Sequence, residues 1–341
     1  MSSSRGHGVT AVIGAGAWGT CLATLLHAKG EDVRLWARRP ERAESIRAHG
    51  ENRAYLPGVP VPASLPITVE IAQAVAGAGQ IVFAVPSARL REIARNVRPH
   101  AQSDAILVSA VKGIEEDSLR RMSEIIEEEM PARSDGARVA ALAGPSHAEE
   151  VSRGLPTAVV AASPAGAVAE RVRDLFTTDT FRVYTNDDLL GVELAVSLKN
   201  IVAIAAGLCD GLGFGDNTRG ALLTRGLAEI TRLGVALGAR ERTFWGLAGL
   251  GDLVTTCVSH HSRNRRVGEE IARGRSLSEA LERLAMVAEG VPTARSAVRL
   301  GDRERVEIPI TREVHAILFD GKDPYDAMQS LMHRVPKSEI V

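Results

Sequence analysis

From Val9 onward, short runs that are apolar at nearly every position, such as VTAVIG, QIVFAV and AILVSA, alternate with longer stretches of helical period. Strands apolar on both sides are what a parallel sheet needs when helices cover both of its faces. The pattern predicts strands at Val9–Ile13, Asp32–Ala37, Gln80–Val85, Ala105–Ser109, Arg138–Leu142, Thr157–Ala161 and Phe181–Tyr184. Strand-helix alternation with short turns means an α/β doubly wound domain of Rossmann type. Inside it, the proline-dense YLPGVPVPASLP at Tyr55–Pro66 reads as a surface excursion.

After Asn186-Asp187-Asp188 the texture changes. Strand patterns nearly vanish, and helical periods run through Leu189–Leu208, Arg219–Gly238, Arg263–Arg273 and Ile310–Phe319. The expected division is therefore a mostly parallel α/β domain over residues 1–187 and an all-α C-terminal domain over 188–341. Ligands are expected in the crevice between them. Asp187-Asp188 suit the N-cap of the first helix of that second domain.

That helix carries AVSLKNIVAI, with Lys199 and Asn200 in an otherwise apolar run. Apolar residues fill most of its circumference, so it is expected to be buried. A buried ammonium without a partner costs several kcal/mol, so Lys199 must be paired, shed its proton or reach a wet cleft. Pairing with Glu193 or another carboxylate for purely structural purposes is the plain alternative to a chemical role.

Composition narrows the partners. The 341 residues are 45% apolar and 24% charged, with a net charge of −1. That balance gives no reason to expect nucleic acid or an anionic membrane as the main partner. No span resembles the roughly 20 consecutive apolar residues that a membrane helix needs, so no membrane insertion is expected. The odd set Cys21, Cys209 and Cys257 lacks metal-like spacing and fits structural thiols in a cytoplasmic protein. Nothing in the Cys and His positions suggests a metal site.

The chemistry-bearing motifs fall at strand ends. In VTAVIGAGAWGT, Gly14, Gly16 and Gly19 have G-x-G-x-x-G spacing between a strand and a helix. The first permits a tight turn, the second lets backbone approach a pyrophosphate, and the third lets helix and strand pack closely. The phosphates would sit on the helix N-terminus. The next strand ends in Arg38-Arg39, where binders of NADH usually place an acid. Two guanidiniums suit a 2′-phosphate, so NADPH is favoured over NADH. Three further edges, Pro86-Ser87, Lys112-Gly113 and Gly144-Pro145-Ser146, point to the crevice. In the helical domain, LAGLGDLVTTCVSHHSRNRR holds Asp252, Thr255, Thr256, Ser262, Arg263, Asn264, Arg265 and Arg266. Basic residues at a helix N-terminus oppose its dipole and would be relieved by a bound anion.

Taken in order, GAGAWGT, NRAYLPG, VPS, KG, AGPSHAEE, GLPTA, VELAVSLKNIVAIAAGLCDGLGFGDN, LLTRGLAEITRLG, GLGDLVTTC and SRNRR resemble the bacterial NAD(P)-dependent sn-glycerol-3-phosphate dehydrogenase family over nearly the whole chain. The resemblance implies reduction of dihydroxyacetone phosphate to sn-glycerol 3-phosphate for glycerophospholipid synthesis. It also implies a homodimer. It assigns Ala17, Trp18, Arg38 and Arg39 to the dinucleotide, and Lys112, Gly144 and Ser146 to substrate, with Lys112 and Ala148 also near the cofactor. It makes Lys199 the catalytic lysine and Asp252, Ser262, Arg263 and Asn264 substrate ligands, with Arg263, Val287 and Glu289 reaching the cofactor. In this picture Lys199 is the general acid of ketone reduction and Asn200 helps to orient substrate. Lys112 adds positive charge, Asp252 fixes Lys199 or a substrate hydroxyl, and Arg263 binds the phosphate. Two rival readings share much of the pattern. One is another two-domain reductase, of hydroxyacid dehydrogenase or ketopantoate type. The other is a dinucleotide sensor without catalysis.

Overall fold

The computed structural model describes residues 8–130, 138–284, 286–336 and 338–339. Its strands are β1 (Val9–Ile13), β2 (Val33–Trp36), β3 (Glu51–Asn52), β4 (Leu56–Pro60), β5 (Ile67–Thr68), β6 (Ala78–Phe83), β7 (Ile106–Ser109), β8 (Val139–Ala143), β9 (Thr157–Ala162) and β10 (Phe181–Asn186). Eight of them form one sheet in the order β10-β9-β8-β7-β6-β1-β2-β5. Every pair is parallel except β8 with β9. The sequence alternates sides residue by residue: Val12 packs with Leu22, Leu26 and Leu35, whereas Ala11 and Ile13 pack with Ile81, Phe83 and Leu90. Both faces are therefore covered, and continuous apolar runs result. Strand order reverses beside β1, where β2 lies on one side and β6 on the other, and a crevice opens at the carboxyl ends.

The Tyr55–Pro66 segment is not the surface excursion its prolines suggest. Leu56, Val59, Val61 and Leu65 are buried in the same cluster as Leu22 and Leu26, and β4 pairs antiparallel with β3. A two-stranded ribbon leaves edges on which Pro57 and Pro60 cost no ladder hydrogen bond, so proline density here marks an edge and not a loop.

The helical domain is built on Leu189–Gly211, in which every residue from Gly191 to Leu208 is buried. Asp188 caps it, accepting from the Gly191 amide at 2.9 Å, while Asp187 pairs with Arg240 at 2.5 Å. Around it pack the helices Asp216–Ala236, Asp252–Val258, Arg263–Ala272, Gly290–Glu304 and Pro309–Phe319. Among the described residues it is also the helix long and apolar enough to cross a membrane, and 94% of the relevant window is buried inside the protein. Its apolar surface is spent within one chain.

The closest crossing is with Arg263–Ala272. A Cβ on Gly207 would lie 1.8 Å from the Arg265 carbonyl oxygen, and one on Gly268 would lie 2.1 Å from that of Ile204. Two glycines thus let the backbones touch, which fixes the register of Ser262, Arg263 and Asn264 against Lys199 and Asn200.

Buried polar side chains join the two domains. Glu193 accepts from Arg121 Nη1 at 2.6 Å, from the Ser123 amide at 2.8 Å and from Ser123 Oγ at 2.5 Å. Ser197 Oγ accepts from the Gly113 amide at 2.9 Å, and Ser296 Oγ donates to the Ile114 carbonyl at 3.2 Å. Glu193 is therefore committed to Arg121 and Ser123 and is not the partner of Lys199.

Candidate active site

The glycine loop after β1 is held by contacts only glycine permits. Gly14 has φ 121°, and a Cβ there would meet the Ala84 carbonyl oxygen at 2.5 Å; one on Gly19 would lie 1.8 Å from the Gly14 oxygen. Gly16 differs, because a Cβ on it would meet nothing within 4 Å. It is the N-cap of Ala17–Lys29 and no side chain caps that helix, so first-turn amides remain available to an anion. A loop braced behind and open in front fits a pyrophosphate. Asn52 supplies part of the brace, donating to the Ala15 carbonyl at 3.1 Å and to Thr20 Oγ1 at 2.8 Å. NRAYLPG was legible as a motif, but nothing in its spacing says that Asn52 reaches back to the glycine turn.

Arg38 and Arg39 stand exposed just past β2, and neither makes a side-chain hydrogen bond or ion pair with another described residue. Trp18 packs on Phe181, with ring centroids 6.3 Å apart, beside the partly buried Ala17.

At the crevice the two domains meet in a charged cluster. Lys112 follows β7 and donates to Asp252 Oδ2 at 2.8 Å and to the Gly144 carbonyl at 3.2 Å. Lys199 is only 3% exposed and donates to Asp252 Oδ1 at 3.0 Å and to Thr256 Oγ1. Each lysine thus takes one oxygen of the same carboxylate. Thr256, one helical turn beyond Asp252, also donates to Oδ1 at 3.2 Å. A widened π-type turn at Leu247–Gly251 leads into the Asp252 helix, with Gly249 pressed on the Phe244 backbone. Such turns re-aim the residues that follow them.

Burial pulls the Lys199 ammonium down to about 8; Asp252 resists that fall and Lys112 adds to it. Burial also opposes the charged form of Asp252, but Lys112 and then Lys199 outweigh it and hold the carboxyl below its ordinary value. The result is an ionised carboxylate between two cations, one of them poised to release its proton near neutral pH.

The remaining residues form a rim. Ser262 is buried and caps Arg263–Ala272, accepting from the Arg265 amide at 3.3 Å. Arg263 is exposed on the crevice side and donates to the Val287 carbonyl at 2.7 Å. Asn264 Oδ1 accepts from the Gly290 amide at 2.9 Å, and a Cβ on Gly290 would touch the Asn200 carbonyl oxygen at 2.7 Å. Asn200 itself donates to the Val196 carbonyl at 3.3 Å within its own helix. Arg265 is committed elsewhere, to Asp210 at 2.7 Å and Glu269 at 2.9 Å. Glu289 reaches across the crevice, where its carboxylate accepts from the Ser87 amide at 3.0 Å and from Ser87 Oγ. Burial pushes its carboxyl up. Gly144, at φ 143°, lies on the Val159 backbone; Ser146 Oγ donates to the Gly144 carbonyl at 3.1 Å, and Ala148 is buried behind it.

The fold thus brings Lys112, Gly144, Lys199 and Asp252 into direct contact, joins Arg263 to Val287, and sets Asn200, Asn264 and Gly290 side by side. Sequence reading named Thr256 without a role and missed His147 and Ser197. The i, i+4 spacing of Asp252 and Thr256 was the one available signal.

A doubly wound sheet with a glycine cradle at its switch point, closed by a helical domain that contributes a buried lysine, defines the class of two-domain nicotinamide-dependent dehydrogenases. Residues 9–169 match the family model described as NAD-dependent glycerol-3-phosphate dehydrogenase N-terminus, and residues 188–329 the corresponding C-terminus. The chain is 52% identical over 333 residues to the glycerol-3-phosphate dehydrogenase [NAD(P)+] of Pelotomaculum thermopropionicum, covering 98% of this chain and 95% of that relative. The crystal structure of the glycerol-3-phosphate dehydrogenase of Coxiella burnetii superposes with a TM-score of 0.90 at 38% identity, covering 96% of this chain and 99% of that one. A ketopantoate reductase from Ralstonia eutropha shares the fold alone, with a TM-score of 0.58 at 18% identity over 95% of this chain and 100% of that one. The chain belongs to the NAD-dependent glycerol-3-phosphate dehydrogenase family and is an NAD(P)-dependent oxidoreductase.

Proposed function

We propose that the protein reduces dihydroxyacetone phosphate to sn-glycerol 3-phosphate, reversibly, with Lys199 as general acid in reduction and general base in oxidation. The observation that carries this reading is the buried Lys199 sharing Asp252 with Lys112. A dinucleotide held in the glycine cradle would supply the hydride in reduction and accept it in oxidation. As a ketone is reduced, negative charge grows on its oxygen. Two ammonium groups at one carboxylate meet that charge with dipoles already oriented, and Lys199 then yields a proton. Asp252 keeps Lys199 aimed, and Thr256 fixes a second of its N–H directions. Arg263 and the amides of its helix offer a planar cation and free donors for the substrate phosphate. Asn200 and Asn264 line the path between those ends, with Gly144, Ser146 and Ser262 holding the backbone around the substrate.

The cofactor seat is read as Gly14, Gly16, Ala17, Trp18 and Gly19, with Lys112, Ala148, Arg263, Val287 and Glu289 closing it from the crevice. Arg38 and Arg39 favour NADPH, because their guanidiniums are uncommitted where a 2′-phosphate would lie. Replacing both with alanine is expected to lower kcat/KM for NADPH about 10- to 100-fold, as loss of charge-assisted hydrogen bonds implies, and to change the NADH value less than about threefold. Equal losses with both cofactors would remove the preference. The product feeds glycerophospholipid synthesis, and the setting read from the cysteines is the cytoplasm. A homodimer is the expected assembly, formed by surfaces other than the buried Leu189–Gly211 helix.

The deciding assay is the initial rate of NADPH oxidation with dihydroxyacetone phosphate, beside unphosphorylated dihydroxyacetone and ketopantoate. A rate that depends on the phosphate supports the reading. Turnover of ketopantoate alone would transfer the site to the reductase class, and no turnover with tight NADPH binding would favour a sensor.

A further inference from the structure

Reduction of a ketone takes up one proton per turnover, and the group that delivers it must be recharged from solvent. Lys199 is poorly placed to recharge directly, being 3% exposed and bound to Asp252 and Thr256. Three imidazoles stand in sequence at the crevice, and the innermost, His147, lies within range of the Lys112 and Lys199 charges. His260 is exposed and lies against His261, with ring centroids 3.9 Å apart and the rings tilted by 42°; the His261 and His147 rings are 5.8 Å apart. His147 opens the short helix Ala148–Val151 on the sheet side, and its Nε2 is a buried atom with no hydrogen-bond partner. Orphaned buried nitrogens are rare in folded proteins and ask for a reason. The His260-His261 turn is itself held in place, since the His261 amide donates to Ser259 Oγ at 3.1 Å.

We infer that His260, His261 and His147 form a proton path from solvent to the Lys199 amine. The inference rests on the reading of Lys199 as general acid. Lys199 Nζ gives a proton to the substrate oxygen while the carbon gains the hydride, and is left as a neutral amine. His147 passes a proton to that amine and takes one from His261, which regains it through His260 from water. One proton enters and one leaves in each cycle, and no histidine changes its net state. A gap of 5.8 Å between ring centres is spanned by a small ring rotation or one bridging water.

The charged groups around His147 suit a carrier that holds no resting charge. Burial first, then Lys112 and Lys199, bring its imidazole down to about 4, with Asp252 opposing and His261 adding slightly. A permanently protonated ring there would repel both lysines. A neutral one accepts a proton at its bare ring nitrogen and releases one from the other.

The test uses the full-length protein with NADPH and dihydroxyacetone phosphate. His147→Gln is expected to lower kcat about tenfold or more, toward the range seen on loss of a proton-transfer group, with KM changed less than about threefold. It should enlarge the solvent deuterium isotope effect on kcat, and added imidazole buffer should restore much of the rate. His261→Gln, which leaves the loop beside Gly144 untouched, should show the same signature more weakly. Unchanged kcat and isotope effect in both variants would overturn the path. So would a loss that appears in KM and ignores imidazole, which would make His147 a packing or substrate residue. Failure of the unmodified protein to turn over dihydroxyacetone phosphate would instead sink the parent reading.

Discussion

Lys199→Ala is expected to cut reduction of dihydroxyacetone phosphate at pH 7 by at least about 10²-fold, with NADPH affinity unchanged. The substitution removes the proposed proton donor and one of the two cations on Asp252, yet the glycine cradle around Gly14, Gly16 and Gly19 lies on a different element. Single-turnover kinetics and NADPH fluorescence titration separate the two effects. A matching pH signature is expected of the unmodified enzyme. A general acid must be protonated, and burial sets Lys199 near 8, so kcat/KM for reduction should fall as pH rises through about 8. Oxidation of glycerol 3-phosphate needs the neutral amine and should fall as pH drops through the same region. Near-normal turnover in the alanine variant, or a reduction profile that is flat between pH 7 and 9.5, would refute the role.

Gly268→Val should be the most damaging change outside the charged cluster. Its Cβ would stand 2.1 Å from the Ile204 carbonyl oxygen, 2.6 Å from the Leu208 nitrogen and 3.0 Å from the Gly207 carbonyl carbon, all backbone atoms of a buried helix. None can turn aside as a side chain would, so the helix Arg263–Ala272 must move or the domain must loosen. The expected cost is about 3 kcal/mol or more, a fall in Tm on the order of 10 °C. Because that helix carries Ser262, Arg263 and Asn264, surviving protein should also show a raised KM for the phosphorylated substrate. Gly220→Ala provides the contrast. A Cβ there meets nothing within 4 Å inside the helix Asp216–Ala236, so it should stabilise slightly, by about 0.4–1 kcal/mol. Equal melting temperatures for the two variants would remove backbone contact as the device that sets the rim.

What was legible beforehand follows from range. The main parallel strands announced themselves because a strand buried on both faces has no polar positions to interrupt it, and the glycine fingerprint because its three constraints lie within six residues of chain. Leu189–Gly211 was legible as buried for the same reason. Tyr55–Pro66 misled because proline and glycine density is common to loops and to edge ribbons, and only the burial of Leu56, Val59, Val61 and Leu65 distinguishes them. The helices Leu277–Leu284, Gly290–Glu304 and Pro324–Met332 escaped because their apolar stripes are narrow and broken by charges. The true partner of Glu193 was invisible because Arg121 and Ser123 belong to the other domain.

By itself, then, the sequence determined the doubly wound domain, the helical domain after it, the glycine fingerprint between strand and helix and the oddity of a lysine in an apolar helix. Those are properties of local pattern, readable because each is set by neighbours in the chain. The tertiary structure alone decided that Lys112 and Lys199 would share Asp252, that Asn52 would brace the glycine turn, that Glu289 would cross to Ser87, and that three histidines would line up beside the site. Each of these joins residues brought together only when two separate packing solutions meet at one crevice, and no period or spacing along the chain encodes such a meeting.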